Sequence, residues 1–164
     1  MDALESGEIP LRVTHNDTKL NNVLFDIHTD EGICVVDLDT VMPGLIVNDF
    51  GDAIRFGAND NAEDEPDVNK VHFRLDLYEL YAKAYLEACG DSLTQREKEY
   101  LPWGARMMTL ECGIRFLTDY IQGDTYFAVH REGQNLDRCR TQFTLVDQME
   151  NQWDEMKKCI EPYF

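Results

Sequence analysis

The run His15-Asn16-Asp17-Thr18-Lys19-Leu20-Asn21-Asn22 leads straight into the apolar triplet Val23-Leu24-Phe25. A turn-rich stretch follows, Asp26-Ile27-His28-Thr29-Asp30-Glu31-Gly32, and then a second apolar run, Ile33-Cys34-Val35-Val36, which ends at Asp37-Leu38-Asp39. Two short apolar runs bounded by turn residues predict a β hairpin, with the second strand buried. Such a hairpin delivers Asn22 and Asp37 to a common end. Beyond the turn signal Pro43-Gly44 the chain reads as helical. The expected fold is therefore mainly α with a small β hairpin (α+β), the hairpin sitting at one edge of a helical domain.

The residue types at that end define a chemistry. In the pattern H-x-D-x-K-x-x-N, Asp17 can receive the proton of an acceptor hydroxyl. Asn22 and Asp37 can hold Mg²⁺ between them, with Asp39 beside them, and Lys19 can meet a phosphoryl group. His15 is expected to support the loop. Asp and Asn also cap turns by bonding nearby amides, and an Asp-x-Asp after a strand can be a solvated loop. Four matched positions at fixed spacing, followed by carboxylates after the next strand, favour the chemical reading. Asp49-Phe50-Gly51 spells the metal-binding D-F-G of protein kinases. It lies farther from Asp17 than Asp37 does, and Asp52-Ala53-Ile54-Arg55-Phe56 after it reads as a helix start. Asp49 is expected to brace the catalytic loop, and Asp37 to hold the metal.

Composition narrows the class. The chain has 164 residues with 43% hydrophobic content, enough for one domain spanning 1–164 with its own core. A net charge of -17 argues against nucleic acid as a partner. No run approaches the roughly 18 apolar residues of a membrane span. Cys34, Cys89, Cys112, Cys139 and Cys159 are scattered and form no C-x-x-C pair, which points to reduced thiols and a cytoplasmic setting. The acidic stretch at 59–67 lacks the glycine and terminal Glu spacing of a calcium loop and reads as solvated.

The helical part is punctuated by clear signals. One short helix is expected over 49–57 and another over 68–89, stopped by Gly90. Thr94-Gln95-Arg96-Glu97 is a capping box, opening a region that Pro102 is expected to break or restart. Met107, Leu110, Ile114, Leu117 and Ile121 recur by threes and fours on a helix expected to be largely buried, with Gly123-Asp124 as the stop. A single long amphipathic helix is expected from Leu136 to Ile160.

The loop His15, Asp17, Asn22, the strand-ending Asp37 and the brace Asp49 resemble the C-terminal lobe of the aminoglycoside phosphotransferase and choline kinase superfamily. More narrowly, residues 14–56, Glu111-Cys112-Gly113-Ile114-Arg115-Phe116-Leu117-Thr118-Asp119-Tyr120 and Gly123-Asp124-Thr125-Tyr126-Phe127 look like bacterial N-acetylhexosamine 1-kinases. The resemblance implies the helical lobe of the protein-kinase-like fold. It also implies ATP as phosphoryl donor, Mg²⁺ as cofactor and the anomeric hydroxyl of GlcNAc or GalNAc as acceptor. The family's N-terminal nucleotide-binding lobe is expected to be a missing partner, since no glycine-rich phosphate loop occurs in the chain. The isolated chain is accordingly expected to be inactive.

Arg115 is the leading candidate for acceptor binding. It falls among apolar neighbours on a helix expected to be buried, so its guanidinium should reach a substrate or pair with Asp119 one turn on. Asp119 and Tyr126 complete the candidate acceptor site, with Tyr126 and Trp153 as possible sugar-stacking rings. Alternative readings are a kinase for choline, homoserine or an aminoglycoside, and a non-catalytic binding module on a kinase lobe.

Overall fold

The computed structural model describes residues 2–164, with side chains from Leu4 onward. After one helical turn, α1 (Asp2–Glu5), come β1 (Arg12–Thr14), β2 (Val23–Phe25), β3 (Gly32–Val35) and β4 (Met42–Gly44). They make two antiparallel pairs, β2 with β3 and β1 with β4. The β2–β3 hairpin is the expected one. Its turn is organised by Asp26, whose Oδ1 accepts the N–H groups of His28 and Thr29 at 2.8 and 3.1 Å.

Two expectations about this region are corrected. Pro43-Gly44 is not a free turn but part of β4, where a proline is tolerated because the pair has no further strand to satisfy. Gly44 is required there, since a Cβ would run into the Thr14 hydroxyl. Nor is the second hairpin strand buried: Ile33 is 64% and Val35 51% exposed, because no described layer covers either face of the hairpin.

The helices are α2 (Ile46–Gly57), α3 (Leu75–Cys89), α4 (Gln95–Ile121), α5 (Gln134–Asn151) and α6 (Trp153–Ile160). Their core is built from Phe50, Ile54, Tyr78, Leu86, Leu101, Leu145, Met149, Met156 and Ile160. Phe50 of α2 meets the rings of Tyr78, Tyr81 and Tyr85 of α3 at 6.0, 5.7 and 5.2 Å, within the range where edge-on aromatic pairs are favourable. The axes of α2 and α4 cross at two glycines: a Cβ on Gly51 would meet the Gly104 carbonyl, and one on Gly104 the Val47 carbonyl.

Tertiary contacts override several periodicity readings. The helix expected over 68–89 starts only at Leu75, after a 3₁₀ turn at Val68–Lys70. Between them, Gln148 of α5 accepts the Phe73 N–H at 2.6 Å and donates to the Val71 carbonyl at 2.8 Å, which holds that segment extended. Pro102 lies inside an unbroken α4. Its missing N–H costs one bond to the Lys98 carbonyl, which the long packed helix absorbs. The final helix is two, parted at Gln152, so that Trp153 reaches Trp103 at 4.7 Å with Arg106 stacked on both rings. Trp153 is thus part of this cluster and not a sugar-stacking wall.

The helix α4, expected to be largely buried, turns its apolar stripe outward, with Met107 48%, Ile114 50% and Ile121 74% exposed. The buried face is Leu101, Ala105, Thr109, Gly113 and Phe116, whose small members let α2 and α5 approach closely. Nor is the 59–67 stretch merely solvated. Asp60, Glu63 and Asp64 pair with Arg74, Arg55 and Arg131 at 3.0, 2.7 and 3.3 Å, which stitches it to the helices.

The capping box at α4 is present, and it is extended by β1. Glu97 is fully buried and accepts the Thr94 N–H at 2.7 Å and both Nε and Nη2 of Arg12 at 2.6 and 2.7 Å. Burial works to raise the Glu97 pKa, but the Arg12 and Thr94 bonds outweigh it and hold it below the ordinary value. An unfolded chain then binds more protons than the folded one below the usual glutamate pKa of about 4.3. Stability is therefore full above that pH and is lost as pH falls through the lowered folded value. Denaturant midpoints measured between pH 3 and 7 should show this slope. Glu97→Gln should flatten it while costing about 1–3 kcal/mol at neutral pH, and an unchanged slope would assign the acid sensitivity elsewhere.

Candidate active site

The His15–Asn22 loop is held from below by α2. Asp49, in the first turn of α2 and buried, accepts the His15 N–H at Oδ2 and the Asn16 N–H at Oδ1, both at 2.8 Å. The Thr18 hydroxyl donates to the Asp49 carbonyl at 2.5 Å. From the β3–β4 side, the Thr40 hydroxyl donates to the His15 carbonyl at 2.7 Å and the Asn16 amide to the Thr40 carbonyl at 2.9 Å. His15 donates from Nε2 to the Val36 carbonyl at 3.0 Å, so that nitrogen carries a proton. Asn16 takes a left-handed conformation (φ 63°), which an Asn tolerates better than most residues.

At the other end of the loop, the Asn22 amide donates twice to Asp17, to its carbonyl at 2.8 Å and to Oδ2 at 2.9 Å. Both amide hydrogens are thereby used, leaving Oδ1 of Asn22 as the atom suited to a cation. Lys19 Nζ lies 3.1 Å from Asp17 Oδ1, so this lysine partners the candidate base. The Val36 N–H donates to the Asn22 carbonyl at 2.9 Å, and the next residue, Asp37, is thus carried to Asn22. Asp37 is exposed, left-handed (φ 62°) and makes no capping bond, while Asp39 follows in the 3₁₀ turn Leu38–Thr40. Among the described residues no group of three or more His, Cys, Asp or Glu side chains is placed to hold a metal. The oxygen donors Asn22 and Asp37 nevertheless fit Mg²⁺, a hard cation that commonly takes one or two protein ligands and completes its shell with phosphates and water.

Asp17 opens on a cavity of about 430 Å³ between the loop, α2, α4 and α5. It carries as many cations (Lys19, Arg55, Arg115, Arg138) as carboxylates (Asp17, Asp52, Glu63, Glu111). Its apolar walls are Phe56, Phe116 and Phe127, and two of these rings are already engaged: Arg138 lies 5.4 Å from Phe116 and Arg115 5.4 Å from Phe127. Burial pushes the Cys112 thiol up to about 11, so that wall is neutral at physiological pH.

The acceptor residues read from sequence, Arg115, Asp119 and Tyr126, meet at a smaller cavity of about 220 Å³, and of the three only Arg115 also lines the cavity at Asp17. Arg115 reaches this cavity, but it is not buried and does not pair with Asp119: its side chain is 47% exposed, with Nε 3.7 Å from Glu111 and Nη2 donating to the Tyr126 hydroxyl at 3.4 Å. Asp119 anchors the turn that follows α4. It is buried and accepts four bonds, from the N–H groups of Thr125, Tyr126 and Phe127 at 2.9, 2.8 and 2.9 Å and from the Asn135 amide at 2.9 Å. Burial opposes its charge, but these bonds hold its pKa below the ordinary value. Tyr126 is 73% exposed and stands outside the main cavity, which its neighbour Phe127 lines. Sequence reasoning missed Asp52, Arg55, Glu63 and Arg138. The i, i+3 spacing of Asp52 and Arg55 on one short helix was the available signal.

No helix among the described residues is long and apolar enough to cross a membrane. Residues 2–88, more than half of the chain, match the model of the phosphotransferase enzyme family. With a braced aspartate-bearing loop, an adjoining strand-end carboxylate and a helical body carrying small antiparallel strand pairs, the protein belongs to this family of ATP-dependent small-molecule phosphotransferases, as the helical lobe of the kinase-like fold.

Proposed function

We propose that the chain carries the catalytic base, the metal ligands and the acceptor cavity of a sugar kinase, acting on the anomeric hydroxyl of an N-acetylhexosamine. The observation that carries this reading is the cavity at Asp17. Its charges balance, which favours a neutral acceptor with several donors and acceptors over a polycationic aminoglycoside. A quaternary ammonium such as choline needs open aromatic faces, and guanidinium groups lie against Phe116 and Phe127.

In this reading the acceptor hydroxyl sits against Asp17, which the Asn22 amide orients. The hydroxyl oxygen forms a bond to the γ-phosphorus as the bond from that phosphorus to the β–γ bridging oxygen breaks, leaving ADP. The hydroxyl proton passes to Asp17. Lys19 leaves its ion pair to meet the transferring phosphoryl group, and His15 and Asp49 keep the loop in place. When bound at Asn22 and Asp37, with Asp39 in support, Mg²⁺ would neutralise charge on the nucleotide phosphates. The unpaired cysteines fit a reducing, cytoplasmic setting.

Adenine and phosphates need a second wall, and we assign it to an N-terminal lobe seated over the exposed β2–β3 hairpin. The 164-residue chain alone is then expected to give no measurable turnover, because metal-mediated contacts alone must first offset an association cost of several kcal/mol. Supplied with such a lobe in cis or in trans, it should convert N-acetylglucosamine or N-acetylgalactosamine and ATP to the sugar 1-phosphate, followed by ³¹P NMR. Robust sugar phosphorylation by the chain alone would refute the lobe argument. Phosphorylation of choline, homoserine or an aminoglycoside in place of the sugar would replace the acceptor.

The metal assignment has its own test. Calorimetric titration with Mg-ATP of the same lobe-supplied protein should show nucleotide affinity lowered at least about 10-fold by Asp37→Ala, equivalent to losing one charge-assisted contact. Binding equal to that of the unsubstituted protein would remove Asp37 from the metal site.

A further inference from the structure

At the floor of the acceptor cavity, Asp52 and Arg55 project from the same face of α2, next to the loop that bears Asp17. Both are more than nine-tenths buried, at 7% and 6% exposure. Arg55 donates from Nε to Asp52 Oδ1 at 2.9 Å and from Nη1 to Glu63 Oε1 at 2.7 Å, so the guanidinium is clamped from two sides. Asp52 Oδ2, by contrast, is buried and has no partner among the described residues. A buried acceptor left without a donor keeps the full desolvation penalty of its group, which is larger when it is charged. The pair with Arg55 accounts for one oxygen of this carboxylate and not for the other. The loop that Asp49 braces and the helix that holds Asp52 are one rigid unit, since Asp49 and Asp52 are a turn apart on α2.

The geometry points to Asp52 as a specificity-determining ligand of the acceptor: its Oδ2 accepts a hydrogen bond from a second hydroxyl of the molecule whose first hydroxyl meets Asp17. The acceptor class is thereby a polyol or sugar carrying at least two hydroxyls, and Arg55 is the positioning residue that fixes the carboxylate. This rests on the acceptor cavity proposed above and adds to it the group that reads the substrate. A carboxylate that accepts from a hydroxyl discriminates against an analogue that lacks it, because the acceptor is then left unpaired in a buried site. Choline, with one hydroxyl, offers nothing to Asp52.

The test is binding to the 164-residue chain in the absence of nucleotide, so that it does not depend on turnover. N-acetylglucosamine and its 3-, 4- and 6-deoxy analogues are titrated by saturation-transfer NMR against the unsubstituted chain and Asp52→Asn. Thermal melting verifies that the variant is folded; the asparagine still accepts from Arg55 Nε but presents an N–H₂ donor where Oδ2 stood. The expected result is that one of the deoxy analogues binds the unsubstituted chain about 10- to 100-fold more weakly than the parent sugar. Asp52→Asn should weaken the parent sugar by a similar factor and erase the difference between it and that analogue. Should Asp52→Asn be unstable, the deoxy series on the unsubstituted chain still decides: equal binding of all three analogues and the parent overturns the proposal. Sugar binding that is unchanged in a folded Asp52→Asn overturns the Asp52 assignment while leaving the cavity reading intact. Absence of any sugar binding, with binding of choline or an aminoglycoside instead, overturns both.

Discussion

Asp17→Asn is expected to lower the turnover of the lobe-supplied protein by about 10²–10⁴-fold, the usual loss when a positioned proton acceptor is removed. The substitution preserves shape, and Asn can still accept the bond that the Asn22 amide gives to Oδ2 at 2.9 Å. What disappears is the negative charge proposed to receive the hydroxyl proton. The Lys19 pair is lost too, but it is partly solvated, with side chains 34% and 26% exposed. Such a pair contributes only about 0–1 kcal/mol, so the melting temperature should barely move. Acceptor affinity should also change little, so the effect appears in kcat and not in KM. Turnover within a few-fold of normal would mean that another group takes the proton.

The largest expected loss of stability lies far from any charge. Gly104→Ala should destabilise the fold by about 3 kcal/mol or more, at the upper end for overpacking a core. The added Cβ meets the Val47 carbonyl of α2, and a backbone atom cannot rotate aside as a side chain can. Gly51→Ala pushes the same two helices apart from the other side, against the Gly104 carbonyl. Gly57→Ala supplies the control: nothing lies within 4 Å of its Cβ, so it should be neutral or gain up to about 1 kcal/mol from better helix propensity. Urea denaturation of the three variants separates these cases. A Gly104→Ala protein as stable as the Gly57→Ala one would show that α2 and α4 are not in backbone contact. Because α2 carries Asp49, a shift of α2 against α4 also moves the brace under the His15–Asn22 loop.

How much of this was legible in the sequence depends on the range of the interactions involved. The β2–β3 hairpin, the capping box at Thr94 and the stop at Gly123 were readable because residues within a few positions of one another determine them. The break before Leu75 was not, since it is made by Gln148, a side chain more than two helices away. The outward stripe of α4 misled for a related reason. Periodicity finds an apolar face but cannot say that Gly104, Ala105 and Gly113 make the opposite face the one that packs. At the site, local spacing brought His15, Asp17, Asn22 and Asp37 into view. Asp52, Arg55, Glu63 and Arg138 meet only when three separate segments fold together. Asp119 carries a duty the sequence did not show: the turn at 123–127 and the Asn135 amide bond both of its oxygens, while it lines a small cavity with Arg115 and Tyr126.

The left-handed backbone at Asp37 has a practical side. A side chain at φ 62° carries strain that glycine does not, amounting to about 1 kcal/mol or less for an aspartate. Variants of this chain enriched purely for heat resistance would therefore tend to collect glycine at position 37. Each would melt no lower than its ancestor and would fold as well. In a thermal screen the loss of this carboxylate would register as an improvement, so any programme to harden the protein needs a nucleotide-binding readout alongside its melting curves.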